Sequence, residues 1–254
     1  MKKLLAVLLA GTMALSLAAC GGGKTTAGTA TKAATDTTAA GTENAAAEGK
    51  EDAGTELTGR LKAIKEAGVL KVATSPDYPP YEFEDITKDG QDKYVGADME
   101  LAKYIADKLG VKLQIEAMAF DACMAAIGQG RVDLTICGMV PKEERKTTMD
   151  FSDVYYNDGD QVIVIMKDSA DQYKSLADFA GQSIAAQNGT LQYDLVTTQI
   201  PDAKCEVVSA VTDGIMMLKT GKVAGIALAS VAADNYLANY PDLVECSQKF
   251  DYTS

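Results

Sequence analysis

Asp98-Met-Glu-Leu-Ala-Lys-Tyr-Ile-Ala-Asp-Lys-Leu-Gly110-Val-Lys-Leu-Gln-Ile-Glu116 changes period in its middle. Up to Leu109 the apolar residues Leu101, Ile105 and Leu109 return every fourth position, as on one face of a helix, with Asp98 as N-cap and Gly110 as the stop. From Lys112 to Glu116 they alternate, as along a strand. The same reading extends in both directions. Upstream, a helix over Leu57 to Ala67 closes at Gly68 and gives way to the strand Val69 to Ala73. Downstream, Asp121 caps a helix over Ala122 to Ile127, and the strand Val132 to Cys137 follows. Strand, helix, strand, helix, strand is the order of a mostly parallel sheet with helices on its faces.

The second half repeats the order. Ser183 to Ala186 reads as a strand, Thr190 to Thr198 as a helix, Glu206 to Val208 as a strand, Asp213 to Lys219 as a helix and Val223 to Leu228 as a strand. One echo is direct: Met124 to Ile136 and Met216 to Leu228 each run from a helix through a glycine and a basic residue into a strand. Between the halves, the polar run Asn157-Asp-Gly-Asp160 precedes the strand Gln161 to Met166 and reads as a hinge. We therefore expect two similar α/β lobes.

The flanks of this region set the compartment. Met1-Lys2-Lys3 followed by an apolar run to Ala19 is a secretory signal, too short for a membrane span. It ends in Leu17-Ala18-Ala19-Cys20, which looks like a bacterial lipobox, so Cys20 is the expected site of diacylation and membrane attachment. Gly21 to Thr55 is mostly Gly, Ala and Thr, with no Val, Ile, Leu, Met, Phe or Tyr, and reads as a flexible tether. The expected organisation is a signal over 1–19, a lipidated tether over 20–55, lobe one over 56–158 and lobe two over 159–250.

Composition excludes several classes of chemistry. The chain has no histidine, so Ser-His-Asp and Cys-His nucleophiles are impossible. Its cysteines at 123, 137, 205 and 246 are isolated in apolar patterns, which suits buried free thiols better than a metal site, and we expect neither metal nor cofactor. A formal net charge of −12 argues against nucleic acid as a partner.

Four segments carry a specific resemblance: Val72-Ala-Thr-Ser-Pro-Asp-Tyr-Pro-Pro-Tyr-Glu-Phe83; Gly96-Ala-Asp-Met-Glu-Leu-Ala102; Gly138-Met-Val-Pro-Lys-Glu-Glu-Arg145 with Asp150-Phe-Ser-Asp153; and Gln187-Asn-Gly-Thr190. Together they make the chain resemble the family-3 solute-binding proteins, the polar amino-acid receptors of ABC importers. The resemblance implies a two-lobed periplasmic-binding-protein type II clamp that closes on an amino acid or similar small zwitterion. It also implies delivery to an ABC permease from the extracytoplasmic face of the cell membrane, as a monomer. Relatives cross back into the first lobe near the end, whereas this sequence stops at Asp251-Tyr-Thr-Ser254, so a truncated first lobe is expected.

The same resemblance assigns roles. Tyr78 stacks on the ligand side chain and Phe120, expected at the end of the next strand, supplies the opposite wall. Ser75 stands where relatives that take basic amino acids or glutamine carry an aspartate, which weakens the case for lysine or arginine. Arg145 grips the ligand carboxylate with its planar fork. Gly138 allows close backbone approach, and Val140 replaces a usual Ser or Thr. Gln187, Gly189 and Thr190 open a helix whose free N–H groups meet the same carboxylate, with the Thr190 hydroxyl adding a bond. Ala229 falls at the position of the aspartate for the α-ammonium, so a water or another acid must replace it. The competing readings are a dehydratase-like enzyme on the same fold and a ligand-sensing module.

Overall fold

A computed structural model describes residues 57–252. The expected signal, the lipidation site Cys20 and the tether lie outside the described residues. The central strand of the first lobe is β1 (Val69–Thr74), which follows helix α1 (Gly59–Ala67) after a left-handed Gly68. It pairs in parallel with β5 (Lys112–Ala117) on one side and β6 (Leu134–Thr135) on the other. Because alternate side chains leave opposite faces of a strand, Leu70 and Val72 pack with α1 and with α2 (Ala97–Leu109), through Ile64, Ala102 and Ala106. Ala73 turns to the other face, against Phe120, Cys123 and Ala126 of α3 (Phe120–Gly128).

Three details differ from expectation. A small antiparallel sheet of β2 (Asp77–Tyr78), β3 (Glu82–Glu84) and β4 (Tyr94–Val95) was not foreseen. It displaces the start of α2: Gly96, not Asp98, is the N-cap, and a Cβ on Gly96 would stand 2.1 Å from the Tyr81 carbonyl oxygen. Asp98 donates its N–H to that same carbonyl and turns its carboxyl inward. Asp121 likewise is no cap; α3 begins one residue earlier, and Asp121 lies in its first turn. There its charge complements the helix dipole.

The second lobe is a five-stranded sheet in the order β11 (Leu243–Glu245), β7 (Gln161–Met166), β10 (Gly225–Ala229), β8 (Ser183–Gln187), β9 (Lys204–Val208). The last three are parallel, but β7 is antiparallel to both β10 and β11, so this sheet is mixed. Gln161 pairs with Ala229, so the chain enters this lobe at the cleft end and β7 runs away from it. Val162 and Val164 meet α5 (Val211–Lys219) and α6 (Ser230–Asn239) on one face. Ile163 and Ile165 meet α4 (Leu191–Gln199) and the 3-10 turn Leu176–Phe179 on the other. Helices cover both faces, which explains why β7, β8 and β10 read as continuous apolar runs. The four cysteines of this region are free thiols.

Candidate functional site

The carboxyl ends of β1, β8 and β10 converge on one cleft, where open α/β sheets form their ligand sites. Its free volume is only about 30 Å³, the room of one water. Beyond β1, Ser75 donates its hydroxyl to Asp77 Oδ1 at 3.0 Å, so the serine positions a carboxylate. That revises the inference drawn from Ser75: the residue is neutral, but an acid two positions later fills the same corner of the cleft. Tyr78 and Phe120 both line the cavity. Phe120 opens α3 instead of ending a strand, and its ring carries the Arg145 guanidinium at 5.6 Å.

Arg145 stands at the start of a 3-10 turn and is buried. It donates from Nη1 to the Val140 carbonyl at 2.6 Å and from Nη2 to the Gly189 carbonyl at 2.7 Å. Val140 belongs to lobe one and Gly189 to lobe two, so this side chain joins both walls. Among the described residues no carboxylate forms an ion pair with it, and burial lowers its pKa. Val140 therefore contributes its carbonyl, in addition to lining the cavity. Gly138, at φ 60°, donates its N–H to Asp98 Oδ2 at 3.3 Å, which commits that group to the protein itself.

From lobe two, Gln187 Nε2 donates to Ser75 Oγ at 3.3 Å, to Asp77 Oδ2 at 3.1 Å and to the Ser209 carbonyl at 3.1 Å. Val211 N–H adds a bond of 2.5 Å to Asp77 Oδ2. Thr190 is the N-cap of α4, accepting from Tyr193 N–H while donating its hydroxyl to the Gln187 carbonyl at 2.8 Å. Its proton is thus already used within the lobe, in contrast to the expected bond to a ligand carboxylate. Gly189 and Ala229 are not among the residues that line the cavity. Gly189 holds φ 73°, and Ala229 donates its N–H to Tyr78 Oη at 3.2 Å. Eight of the ten expected residues line one cavity, and these two reach it through their neighbours.

Four acids complete the site and were not among the expected site residues: Asp77, described above, and Glu82, Asp98 and Asp158. Glu82 and Asp158 line the cleft, and Asp98 lines a wider adjoining cavity of about 490 Å³. Glu82 stands between Tyr81 and Phe83 on a proline-stiffened segment, a setting in which an acid is ordinarily read as exposed. Asp158 was hidden in a run that reads as a hinge. Burial raises the pKa of Asp77, Asp98 and Asp158, and raises that of Glu82 well above the carboxylate range, with the charge of Asp98 adding to it. The cleft therefore pairs one under-compensated cation, Arg145, with several under-compensated acids.

Comparison with known proteins agrees with this geometry. The chain is 34% identical over 197 residues to the arginine-binding extracellular protein ArtP of Bacillus subtilis, covering 77% of this chain and 71% of that protein. The arginine-bound form of truncated ArgBP from T. maritima superposes with a TM-score of 0.68 at 37% identity, covering 75% of this chain and 87% of that one. An amino acid ABC transporter substrate-binding protein from Streptococcus pneumoniae bound to L-arginine gives a TM-score of 0.73 at 34% identity, over 78% and 81% of the two chains. The profile of the bacterial extracellular solute-binding proteins, family 3, matches residues 70–235. With two α/β lobes meeting at a buried arginine and a match over most of its length, the chain belongs to the family-3 bacterial extracellular solute-binding proteins.

Proposed function

We propose that the chain is the amino-acid receptor of an ABC importer, held at the outer face of the cell membrane by lipid on Cys20. The observation that carries this reading is Arg145. Among the described residues this buried guanidinium gives its hydrogen bonds to two carbonyls, one from each lobe, and still has donors to offer and a charge to balance. An α-carboxylate answers both needs. Asp158, from the segment between the lobes, takes the α-ammonium in place of the absent acid at Ala229. Tyr78 and Phe120 supply aromatic walls for the side chain.

Binding and closure are one event in this account. Several bonds join the lobes when they meet: Asp77 with Val211 and Gln187, Asn188 with Asp121 at 2.8 Å, and the ion pair of Lys142 with Asp194. A cleft of about 30 Å³ admits an amino acid only as the lobes part. A ligand touching both walls then favours the closed arrangement by its differential affinity, which is the signal a permease reads. We take residues 157–160 as the hinge. Binding without catalysis is the reading the relatives favour, since those compared are named for what they bind.

A thermal-shift screen of the amino acids against the full chain tests the proposal. At least one amino acid should raise the melting temperature in proportion to the logarithm of its excess over Kd. No shift with any amino acid at millimolar concentration would overturn it.

A further inference from the structure

Members of an extracellular family work where thiols oxidise, so two thiols that meet in such a chain can close to a disulfide. Cys123 and Cys137 meet. Both are buried in one core cluster of lobe one, with Ala73, Phe120 and Val132, and a hydrogen bond joins their side chains. Thr135 Oγ1 lies 3.5 Å from the Cys137 sulfur. The other two cysteines of the described residues are placed differently. Cys246 donates its thiol to the Tyr173 carbonyl at 3.5 Å, and Cys205 lies partly buried on the edge strand β9.

The pair belongs to the wall of the cleft. Cys123 is in α3, one turn after Phe120, whose ring carries the Arg145 guanidinium at 5.6 Å. Cys137 lines the cleft and directly precedes Gly138, whose N–H is given to Asp98. With the lobes together Cys137 is only 4% exposed. The neighbouring Cys123 thiol, and then burial, push the Cys137 thiol well up, so little thiolate is present and the closed protein oxidises slowly. As the lobes part, the cleft side of Cys137 meets solvent. A sulfur–sulfur bond of about 2.05 Å is much shorter than a thiol–thiol contact, so forming it draws the first turn of α3 and the Cys137–Gly138 wall together. Binding groups tolerate displacements of only about 0.5 Å.

We propose that Cys123 and Cys137 are a redox site in the cleft wall: hydrogen peroxide, entering the ligand-free cleft, converts the two thiols to a disulfide that weakens ligand binding. The disulfide stands apart from the amino-acid reading above, and its effect on affinity rests on that reading. In the first step the Cys137 thiolate attacks one peroxide oxygen, the O–O bond breaks, and a sulfenic acid forms as hydroxide leaves. Cys123, as thiolate, then attacks the Cys137 sulfur. The S–O bond breaks, the S–S bond forms, and a second hydroxide leaves. The two thiol protons turn both hydroxides into water, so the sulfurs lose two electrons and one peroxide gains them. A bound amino acid holds the lobes together and slows the first step.

The test is peroxide treatment of the full chain, alkylation of the remaining thiols after denaturation, and mass spectrometry of the tryptic peptides. Cys123 falls on peptide 113–131 and Cys137 on peptide 132–142, so their disulfide joins two separate peptides. We expect that joined pair, formed more slowly when the protein is saturated with its tightest amino acid and undone by dithiothreitol. Calorimetric titration should show the oxidised protein binding that amino acid at least about tenfold more weakly, with affinity restored by dithiothreitol. Dithiothreitol leaves methionine sulfoxide in place, so the recovery separates the disulfide from oxidation of Met139 in the adjoining cavity. Cys123→Ala should lose no affinity on peroxide treatment; the cross-link and its reversal need no variant and decide the matter if Cys123→Ala does not fold. Both cysteines recovered alkylated, Cys137 over-oxidised without a cross-link, or equal affinity of the oxidised and reduced forms would overturn the proposal. If the reduced protein binds no amino acid, the amino-acid reading itself falls, and the cross-link alone judges the redox site.

Discussion

Asp158→Asn isolates the least expected assignment, that an acid between the lobes replaces the family's aspartate at Ala229. The change keeps the shape of a side chain lining the cleft and removes only its charge. Burial already raises the pKa of Asp158, so in the free protein its ionised form is poorly compensated. A bound ammonium would supply the missing partner. A charge-assisted hydrogen bond contributes roughly 1.5–3 kcal/mol, which corresponds to about 10- to 150-fold in Kd. The assay is calorimetric titration with the tightest amino acid found and with its des-amino analogue, which keeps the carboxylate and side chain. Parent protein should prefer the amino acid by that factor, and Asp158→Asn should lose the preference by weakening the amino acid alone. Equal weakening of both ligands, or no change in either, would refute the assignment. By the same reasoning Ala229→Asp in the parent adds a further buried acid beside Tyr78, where Asp77, Glu82 and Asp158 already share the cleft.

Three further outcomes follow from the same structure. The ligand-free protein should lose stability as pH rises above the ordinary carboxylate range, about 4: burial raises Glu82, Asp77 and Asp158 in the folded state, which keeps protons there that the unfolded chain has already released. With no histidine to confuse the window, melting temperatures should fall with pH in the parent and less steeply in Glu82→Gln, and a rising curve would contradict the buried acids. Gly96→Ala should destabilise by about 1–3 kcal/mol or more, because its Cβ meets the Tyr81 carbonyl at 2.1 Å with φ at 118°; denaturant unfolding with an unchanged midpoint would show that the turn yields freely. A Cys20→Ser chain should appear in the soluble fraction, and firm retention in membranes would dispose of the lipid anchor.

How much of this was legible in the sequence depended on the length of the pattern. Helix α2 and strand β5 repeat their period long enough to be read, and α1, α3, α4 and α5 lie close to their expected places. The strands β2, β3 and β4 are two or three residues each, beside three prolines, and carry no period at all. Their existence is fixed by pairing with one another, which is not local information. The direction of β7 was hidden for the same reason, since an apolar run reads alike in a parallel or an antiparallel setting. Within the site, residues that belong to a recognisable segment, such as Tyr78, Arg145 and Thr190, line the cleft, though Thr190 spends its hydroxyl on its own lobe. Asp98 was read as a cap because acids often cap helices; the cap is Gly96, and Asp98 donates its N–H to the Tyr81 carbonyl with its carboxyl buried. Glu82 gave no signal of burial, because a lone acid between aromatics normally faces water.

The central claim is that the cleft holds a ligand carboxylate on Arg145, and the direct measurement is calorimetric titration of Arg145→Ala against the parent. Two charge-assisted bonds to the carboxylate amount to about 3–6 kcal/mol, so binding should weaken at least about a hundredfold. Arg145→Lys should fall between, because an ammonium keeps the charge but loses the planar fork. A cooperative melting transition in each variant shows that the fold survives the substitution. Amino-acid affinity within about threefold of the parent in a folded Arg145→Ala protein would contradict the account at its centre.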